Sequence, residues 1–227
     1  MCEIVVALDV PAADDALRLL DRLPAARWVK VGSVLMTRAG APLIRTLHGR
    51  GLRVFLDLKW HDIPNTVAGA VAAARDEGVA MATVHTLGGS RMLEAAAGAA
   101  GPDLALVGVT VLTSHSPEEF GRTLGRPAPD LLSEVVRLAG DARAAGLQGV
   151  VCSPQEIGAV RRTLGPDALV VVPGIRRADD PKGDQTRTAT PAAAARAGAT
   201  HLVVGRPVLA AGDPAAAFAA MMGEMDR

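Results

Sequence analysis

Residues 53–87 read RVFLDLKWHDIPNTVAGAVAAARDEGVAMATVHTL, with an alanine-rich segment between two short apolar ones. The outer segments, 53–60 and 81–87, show little polar alternation, which is typical of parallel strands buried on both faces. The middle segment, 65–78, has helical periodicity and ends at Gly78, a residue type that commonly stops helices. This stretch therefore predicts one strand–helix–strand unit of a parallel sheet.

The same alternation extends over the whole chain. Helical periodicity also marks 14–23 and 130–146, the second ending at Gly146. Further strands are predicted at 4–10, 28–32, 105–112, 149–153, 169–175 and 201–205. Eight strands alternating with helices predict an α/β fold, a single (β/α)₈ TIM barrel that occupies residues 1–227 as one catalytic domain. A doubly wound open sheet alternates in the same way, but no GxGxxG motif follows the first strand, where a dinucleotide-binding fold would carry it.

Composition and charge exclude several classes of partner. The chain has 24 basic and 24 acidic residues, so its net charge gives no reason to expect nucleic acid or an anionic membrane as a partner. No run approaches the roughly 18 apolar residues of a membrane span, and the first residues do not resemble a signal peptide. Cys2 and Cys152, each assigned to a predicted strand, are expected to be buried thiols in a reducing compartment. We therefore expect a cytoplasmic protein.

A polar or charged residue ends every predicted strand, and in a barrel these ends meet at the mouth where active sites lie. Any one of them could simply mark the solvent boundary. Charged groups are rarely buried unpaired, however, so the whole set predicts a network of compensating charges. In chain order the residues are Asp9, Lys30, Asp57 with Lys59, His85, Thr113, Ser153, Arg176 and Arg206. Two long connections, 114–129 and 176–190, follow strands five and seven and are expected to be irregular functional loops.

The end of the third strand, FLDLKWHDIPNT (55–66), carries the densest group of charges. Because side chains alternate along a strand, Asp57 and Lys59 are expected on the same side. Asp62 follows just beyond the strand, and Pro64 fits the first turn of the next helix. An isolated DxK is more often an ordinary ion pair. At this position it predicts a carboxylate and an ammonium together at the barrel mouth.

The segment DLKWHDIPNT (57–66) resembles the signature of orotidine 5′-phosphate decarboxylases, with Trp60 where Phe or Tyr is expected. The resemblance implies decarboxylation of orotidine 5′-phosphate to UMP, a step of pyrimidine biosynthesis. It also implies a metal-free, cofactor-free enzyme and a homodimer with active sites at the interface. The other matching segments, collinear along the chain, are VALDV (6–10), VKVG (29–32), TVLTS (110–114), VVCSPQE (150–156), PGIR (173–176), GDQ (183–185) and VGRPV (204–208).

The resemblance further implies a role for each matching residue. Lys30, Asp57, Lys59 and Asp62 would form an alternating charge array, with Asp62 contributed by the neighbouring subunit. Lys59 would stabilise the carbanion at pyrimidine C6 and then protonate it, while Asp57 would lie beside the departing carboxylate. The full set of implied substrate-binding residues is Asp9, Lys30, Asp57, Lys59, Asp62, Ile63, Thr66, Thr113, Arg176, Gln185, Gly205 and Arg206.

The phosphate of the substrate is expected near the ends of strands seven and eight, where barrels often build such a site. Between residues 161 and 206 there are eight Lys or Arg residues and four Asp or Glu residues. By resemblance, Arg206 and the amides of Gly205 and Arg206 would hold the phosphate, Gln185 would bridge phosphate and pyrimidine as a closing lid, and Thr113 would read the pyrimidine edge. Asp9 would bind the ribose hydroxyls. The remaining basic residues of the 176–190 loop, Arg177, Lys182 and Arg187, are expected to be solvated charges.

Two other functions fit the same pattern. Barrels that act on sugar phosphates through a Mg²⁺-stabilised enediolate can also carry DxKxxD, but they would need an extra acidic ligand where this chain has Lys30. A nucleotide-binding barrel without turnover would be expected to have lost a member of the charge array, and all four positions are filled. None of the five histidines has HxxxH spacing, and no metal site is predicted. His61 is expected to support the site, and a hydrogen-bonding role is favoured for His85.

Overall fold

Eight parallel strands close into a barrel in which each strand pairs with the next along the chain and the last pairs with the first. The computed structural model describes residues 2–177 and 187–225. The strands are β1 (Glu3–Ala7), β2 (Trp28–Gly32), β3 (Arg53–Trp60), β4 (Met81–His85), β5 (Ala105–Val109), β6 (Gly149–Val151), β7 (Leu169–Val172) and β8 (His201–Val204). The predicted TIM barrel is confirmed.

Helices fill most connections and cover the outside of the barrel. They are α1 (Ala13–Asp21), α2 (Ser33–Gly49), α3 (Pro64–Asp76), α4 (Ser90–Ala100), α5 (Pro117–Thr123), α6 (Leu131–Ala144), α7 (Ile157–Leu164), α8 (Pro191–Arg196), α9 (Arg206–Leu209) and α10 (Pro214–Met225), with a 3₁₀ turn at Thr86–Gly88. Within α2, Gly40 has a positive φ of 61° and Pro42 follows, so the helix is kinked there. No helix in the described ranges is long and apolar enough to cross a membrane.

Two apolar layers hold the barrel together. The larger layer lies between the outward-facing strand residues and the helices, with side chains such as Val29 and Leu47 fully buried. The smaller layer fills the barrel interior and consists of Val5, Ala7, Trp28, Phe55, Met81, Val107, Val171 and Val203. Because the interior is filled by these side chains, the charged residues on the same strands lie above it, towards the carboxyl ends.

The amino end of the barrel is closed by aromatic packing. The Arg53 guanidinium lies 4.3 Å from the centre of the Trp28 ring, and the His201 imidazole meets that ring edge-on at 4.9 Å. Burial, assisted by the positive charge of Arg53, lowers the pKa of His201 to about 4. His201 is therefore neutral in the folded protein at neutral pH.

This burial makes stability depend on pH. Between about pH 6.5 and about pH 4 the unfolded chain protonates this imidazole whereas the folded chain does not. The stabilisation is thus complete above about pH 6.5 and is lost as the pH falls towards 4. We expect the free energy of unfolding, measured in urea at about pH 7.5 and about pH 5, to fall more for the native sequence than for His201→Gln. Equal losses in both proteins would contradict a neutral native His201.

All eight predicted strands are present, although six of them end one to three residues earlier than predicted, and two further predictions need correction. The strands predicted at 28–32 and 53–60 agree with β2 and β3 at both ends. The 114–129 connection is not wholly irregular, because Ser116 and Glu119 form a reciprocal capping box that starts α5. Cys2 and Cys152 lie just outside β1 and β6 rather than within them, and Cys2 is only partly buried.

Candidate active site

The end of β3 departs from regular strand geometry. Leu56 pairs with Ala82 and Trp60 with Val84, so four steps along β3 match only two along β4. Lys59, inside this bulge, has a φ of +54° and is the only non-glycine residue with positive φ in the described part of the chain. Thr83 Oγ1 accepts a hydrogen bond from the Lys59 amide at 2.8 Å. The bulge therefore sets the direction in which Lys59 projects.

Four charges of alternating sign run across the mouth of the barrel. Lys59 Nζ is 2.9 Å from Asp57 Oδ1, and Lys30 Nζ is 3.7 Å from Asp57 Oδ2. Lys30 Nζ also donates to Asp9 Oδ1 at 3.0 Å. The side chains of Asp57 and Lys30 are only 15% and 12% exposed, so each charge depends on its neighbours for compensation. Thr83 Oγ1 donates to Asp57 Oδ1, the oxygen that Lys59 also contacts, at 3.1 Å.

Three cavities meet at this row of charges. The largest, of about 520 Å³, lies between Asp9, Arg176 and Arg206. A second, of about 400 Å³, extends over Lys59 towards Pro11. The smallest, of about 150 Å³, has Thr113 together with Val109, Phe55 and other apolar side chains on its walls. All three share Lys30 and Asp57, so together they form one cleft with a polar region near β7 and β8 and a small apolar one near β5.

The predicted phosphate-binding residues lie at the polar end. Arg176, Gly205 and Arg206 line the same cavity as Asp9, and Arg176 is buried, with its Nη1 donating to the Ile175 carbonyl at 2.7 Å. Gly205 precedes α9, whose first residue is Arg206. Gln185 lies outside the described residues. The structure thus brings three of the four residues predicted near the phosphate into one cavity.

Three predicted site residues lie away from this cleft. Asp62 Oδ1 accepts from the Ile63 amide at 2.6 Å, and both residues border a separate surface depression with Pro64, at the start of α3. Ile63 is 67% exposed, which is unusual for a large apolar residue. Thr66 is exposed in the first turn of α3. These residues face outwards, beyond the rim of their own barrel.

His85 has a structural role in the described chain. Its Nδ1 accepts from the Leu87 amide at 3.3 Å at the start of the 3₁₀ turn, and its ring stacks on His61 at 5.6 Å. Burial, together with the positive charges of His61 and Lys59, lowers the pKa of His85 to about 4. A neutral imidazole that accepts a backbone hydrogen bond agrees with the role favoured from the sequence.

One prediction about the 176–190 loop is wrong. Arg187 is not a solvated charge: its side chain is 12% exposed and forms an ion pair with Glu156, whose side chain is 4% exposed. Arg177, by contrast, is partly exposed and pairs with Glu224 at 3.0 Å. Lys182 lies outside the described residues. Sequence reasoning missed both Glu156 and Thr83, although VVCSPQE ends on the former.

The donor set at the mouth does not favour a divalent cation. Within residues 2–177 and 187–225, no three His, Cys, Asp or Glu side chains are grouped so that they could hold a metal ion. Asp9 and Asp57 both line the cleft, and the Lys30 ammonium lies between their carboxylates. A cation placed there would be repelled by Lys30 at short range.

Comparison with known proteins places these features in one family. Residues 3–221 match the model described as orotidine 5′-phosphate decarboxylase / HUMPS family. The chain is 55% identical to the orotidine 5′-phosphate decarboxylase of Halorhodospira halophila, over 98% of this chain and 95% of that protein. It is 50% identical to the enzyme of Chromohalobacter salexigens with the same coverage. A crystal structure of orotidine 5′-phosphate decarboxylase from Lactobacillus acidophilus superposes with a TM-score of 0.89 at 36% identity, covering 100% of both chains.

Proposed function

Since this chain belongs to the orotidine 5′-phosphate decarboxylase / HUMPS family and is a carboxy-lyase, we propose that it decarboxylates orotidine 5′-phosphate to UMP without a cofactor, using Lys59 as proton donor. The observation that carries the proposal is the alternation of Asp9, Lys30, Asp57 and Lys59 across one cleft. This array offers a fixed ammonium beside a fixed carboxylate where a substrate carboxylate would enter.

The reaction breaks the bond between C6 and the carboxylate carbon. Its electron pair stays on C6, where no adjacent carbonyl can delocalise it, and CO₂ departs. The Lys59 ammonium stabilises this carbanion by charge and then transfers a proton to C6. The neutral amine that remains regains a proton from water. Because Lys59 is held by a backbone bulge and by Asp57, the ammonium needs little reorganisation when the charge develops on C6.

Asp57 contributes by facing the group that leaves. Two like charges about 4 Å apart repel by about 4 kcal/mol at an effective dielectric near 20, and this repulsion disappears with CO₂. The Asp57 carboxylate cannot move aside easily, because Thr83, Lys30 and Lys59 all hold it. The repulsion therefore adds to the stabilisation by Lys59.

The rest of the nucleotide fits the remaining cavities. The phosphate would bind between Arg176, Gly205 and Arg206, with Gln185 as an additional contact, and the ribose hydroxyls would face Asp9 and Lys30. The pyrimidine would enter the small cavity lined by Thr113. Binding of the distant phosphate can then lower the barrier at the ring, because remote binding energy holds the reacting carbon against the charges.

We also propose a homodimer in which each cleft is completed by Asp62, Ile63 and Thr66 of the other subunit. The support is that these residues are exposed at the rim and do not reach their own cleft. An exposed isoleucine beside a carboxylate is a reasonable contact surface for a second copy. As one catalytic domain with two free cysteines, the protein would suit the cytoplasm, with neither nucleic acid nor a membrane as a partner.

Metal independence separates this proposal from the Mg²⁺–enediolate chemistry that a related barrel could perform. We expect the conversion of orotidine 5′-phosphate to UMP, followed by absorbance, to proceed at an unchanged rate in excess EDTA. The reason is that an ammonium occupies the position between Asp9 and Asp57. A rate that falls with EDTA and returns with Mg²⁺ would overturn the cofactor-free mechanism.

A further inference from the structure

The buried ion pair between Arg187 and Glu156 connects three loops at the mouth of the barrel. Glu156 is at the start of α7, after β6, and its Oε2 accepts from the Ser153 amide at 2.7 Å. Arg187 Nη1 contacts both Glu156 and the Ser153 hydroxyl, the latter at 3.3 Å. Its Nη2 donates to the carbonyl of Leu112 at 3.4 Å. One guanidinium thus links the β7 connection to the loops that follow β6 and β5.

The Leu112 contact leads directly to the substrate cleft. Leu112 and Thr113 both line the small cavity that also contains Lys59 and Asp57. Arg187 itself does not line any of the three cavities of the cleft. Because a guanidinium is rigid and has several donors in fixed directions, it can hold Glu156 and the Leu112 carbonyl at the same time.

We propose that Arg187 is a positioning residue that, held by Glu156, fixes the backbone at Leu112 and Thr113 and thereby sets the recognition of the pyrimidine ring. This inference rests on the proposed function and names a determinant of its specificity. Arg187 does not touch the substrate and acts through Leu112 and Thr113. The ion pair is almost fully buried, so solvent cannot substitute for either partner when one is removed.

Ligand binding tests this role separately from turnover. Ribose 5-phosphate contains the phosphate and sugar but lacks the pyrimidine, so the ratio of its Kd to that of UMP reports recognition of the ring. Arg187→Met is expected to lower this ratio about tenfold, the effect of losing one ordered contact. Kd for ribose 5-phosphate should change little. With orotidine 5′-phosphate, KM should rise and kcat should fall, because Thr113 is no longer held at the pyrimidine edge.

A matched control is available on the same connection. Arg177 pairs with Glu224 of α10 at 3.0 Å. Arg177→Met should leave the ratio of the two Kd values unchanged. A drop in Arg177→Met equal to that in Arg187→Met would overturn the proposal, because any disturbance of this connection would then suffice.

Arg187→Lys keeps the experiment decisive if Arg187→Met does not fold. An ammonium can still pair with Glu156 but cannot also reach the Leu112 carbonyl in the geometry of a guanidinium. A folded Arg187→Lys protein with a several-fold lower ratio supports the proposal, whereas an unchanged ratio overturns it. If the native protein does not bind UMP, the proposed function itself fails. If it binds UMP and the Arg187 variants retain its preference, only this inference fails.

Discussion

Replacing Lys59 by alanine is expected to lower kcat/KM for orotidine 5′-phosphate by about 10⁴-fold or more. The substitution removes the proton donor and the ammonium that lies 2.9 Å from Asp57 Oδ1, so the Asp57 carboxylate faces the substrate without that compensating charge. The loss should fall mainly on kcat, because the phosphate and ribose contacts lie elsewhere in the cleft. Steady-state kinetics with single-turnover measurements would separate the two parameters.

The control for this variant is its fold. The hydrogen bond from the backbone amide of residue 59 to Thr83 does not require the lysine side chain, so the bulge should persist. Unchanged thermal unfolding and UMP binding within about tenfold of the native protein would show an intact cleft. Activity equal to that of the native sequence would remove Lys59 from the mechanism.

Mixing two inactive variants is expected to restore activity. Lys59→Ala and Asp62→Ala should each inactivate the enzyme if Lys59 of one subunit meets Asp62 of the other. In a mixed dimer, one of the two sites contains neither substitution, because symmetric subunits exchange the same segments. Random mixing makes half of the dimers mixed, so about a quarter of the native activity should return.

Differently tagged subunits would make this test quantitative. Activity should rise with the fraction of mixed dimers that carry both tags. If mixed dimers form and their activity remains the sum of the two parents, Asp62 does not complete a neighbouring site. Activity of isolated subunits at high dilution would contradict the shared site independently.

The strands were predictable because continuous apolar runs in the local sequence indicate that these segments are buried. Every residue of 28–32 and most residues of 53–60 are either apolar or lie at the barrel mouth. These segments could therefore be predicted as strands without information about the neighbouring strands. The kink at Gly40 and the short α5 were harder, because they depend on a single φ angle and on one capping box. Local signals of this size are easily hidden within a long connection.

The site was predictable in its members but not in its geometry. Seven of the nine predicted strand-end residues line one cleft, all but His85 and Ser153, and Asp57 does contact Lys59. Regular alternation, however, could not show the bulge, which depends on how β3 pairs with β4. Arg187 was misjudged for a similar reason: its partner is 31 residues earlier in the chain, and its burial follows from that contact. Long-range partners decide whether a charge is solvated.

The bulge at Lys59 has a consequence for moving this chemistry onto other scaffolds. A designer who transfers only the sequence Asp-Leu-Lys to a regular barrel strand would obtain a lysine side chain that projects in a different direction. The transferred strand segment must include the extra residues of the bulge and the positive φ of the lysine. It also needs a threonine on the adjacent strand that accepts the hydrogen bond from the lysine amide. The structural unit that must be transferred together with the lysine is therefore the β-bulge.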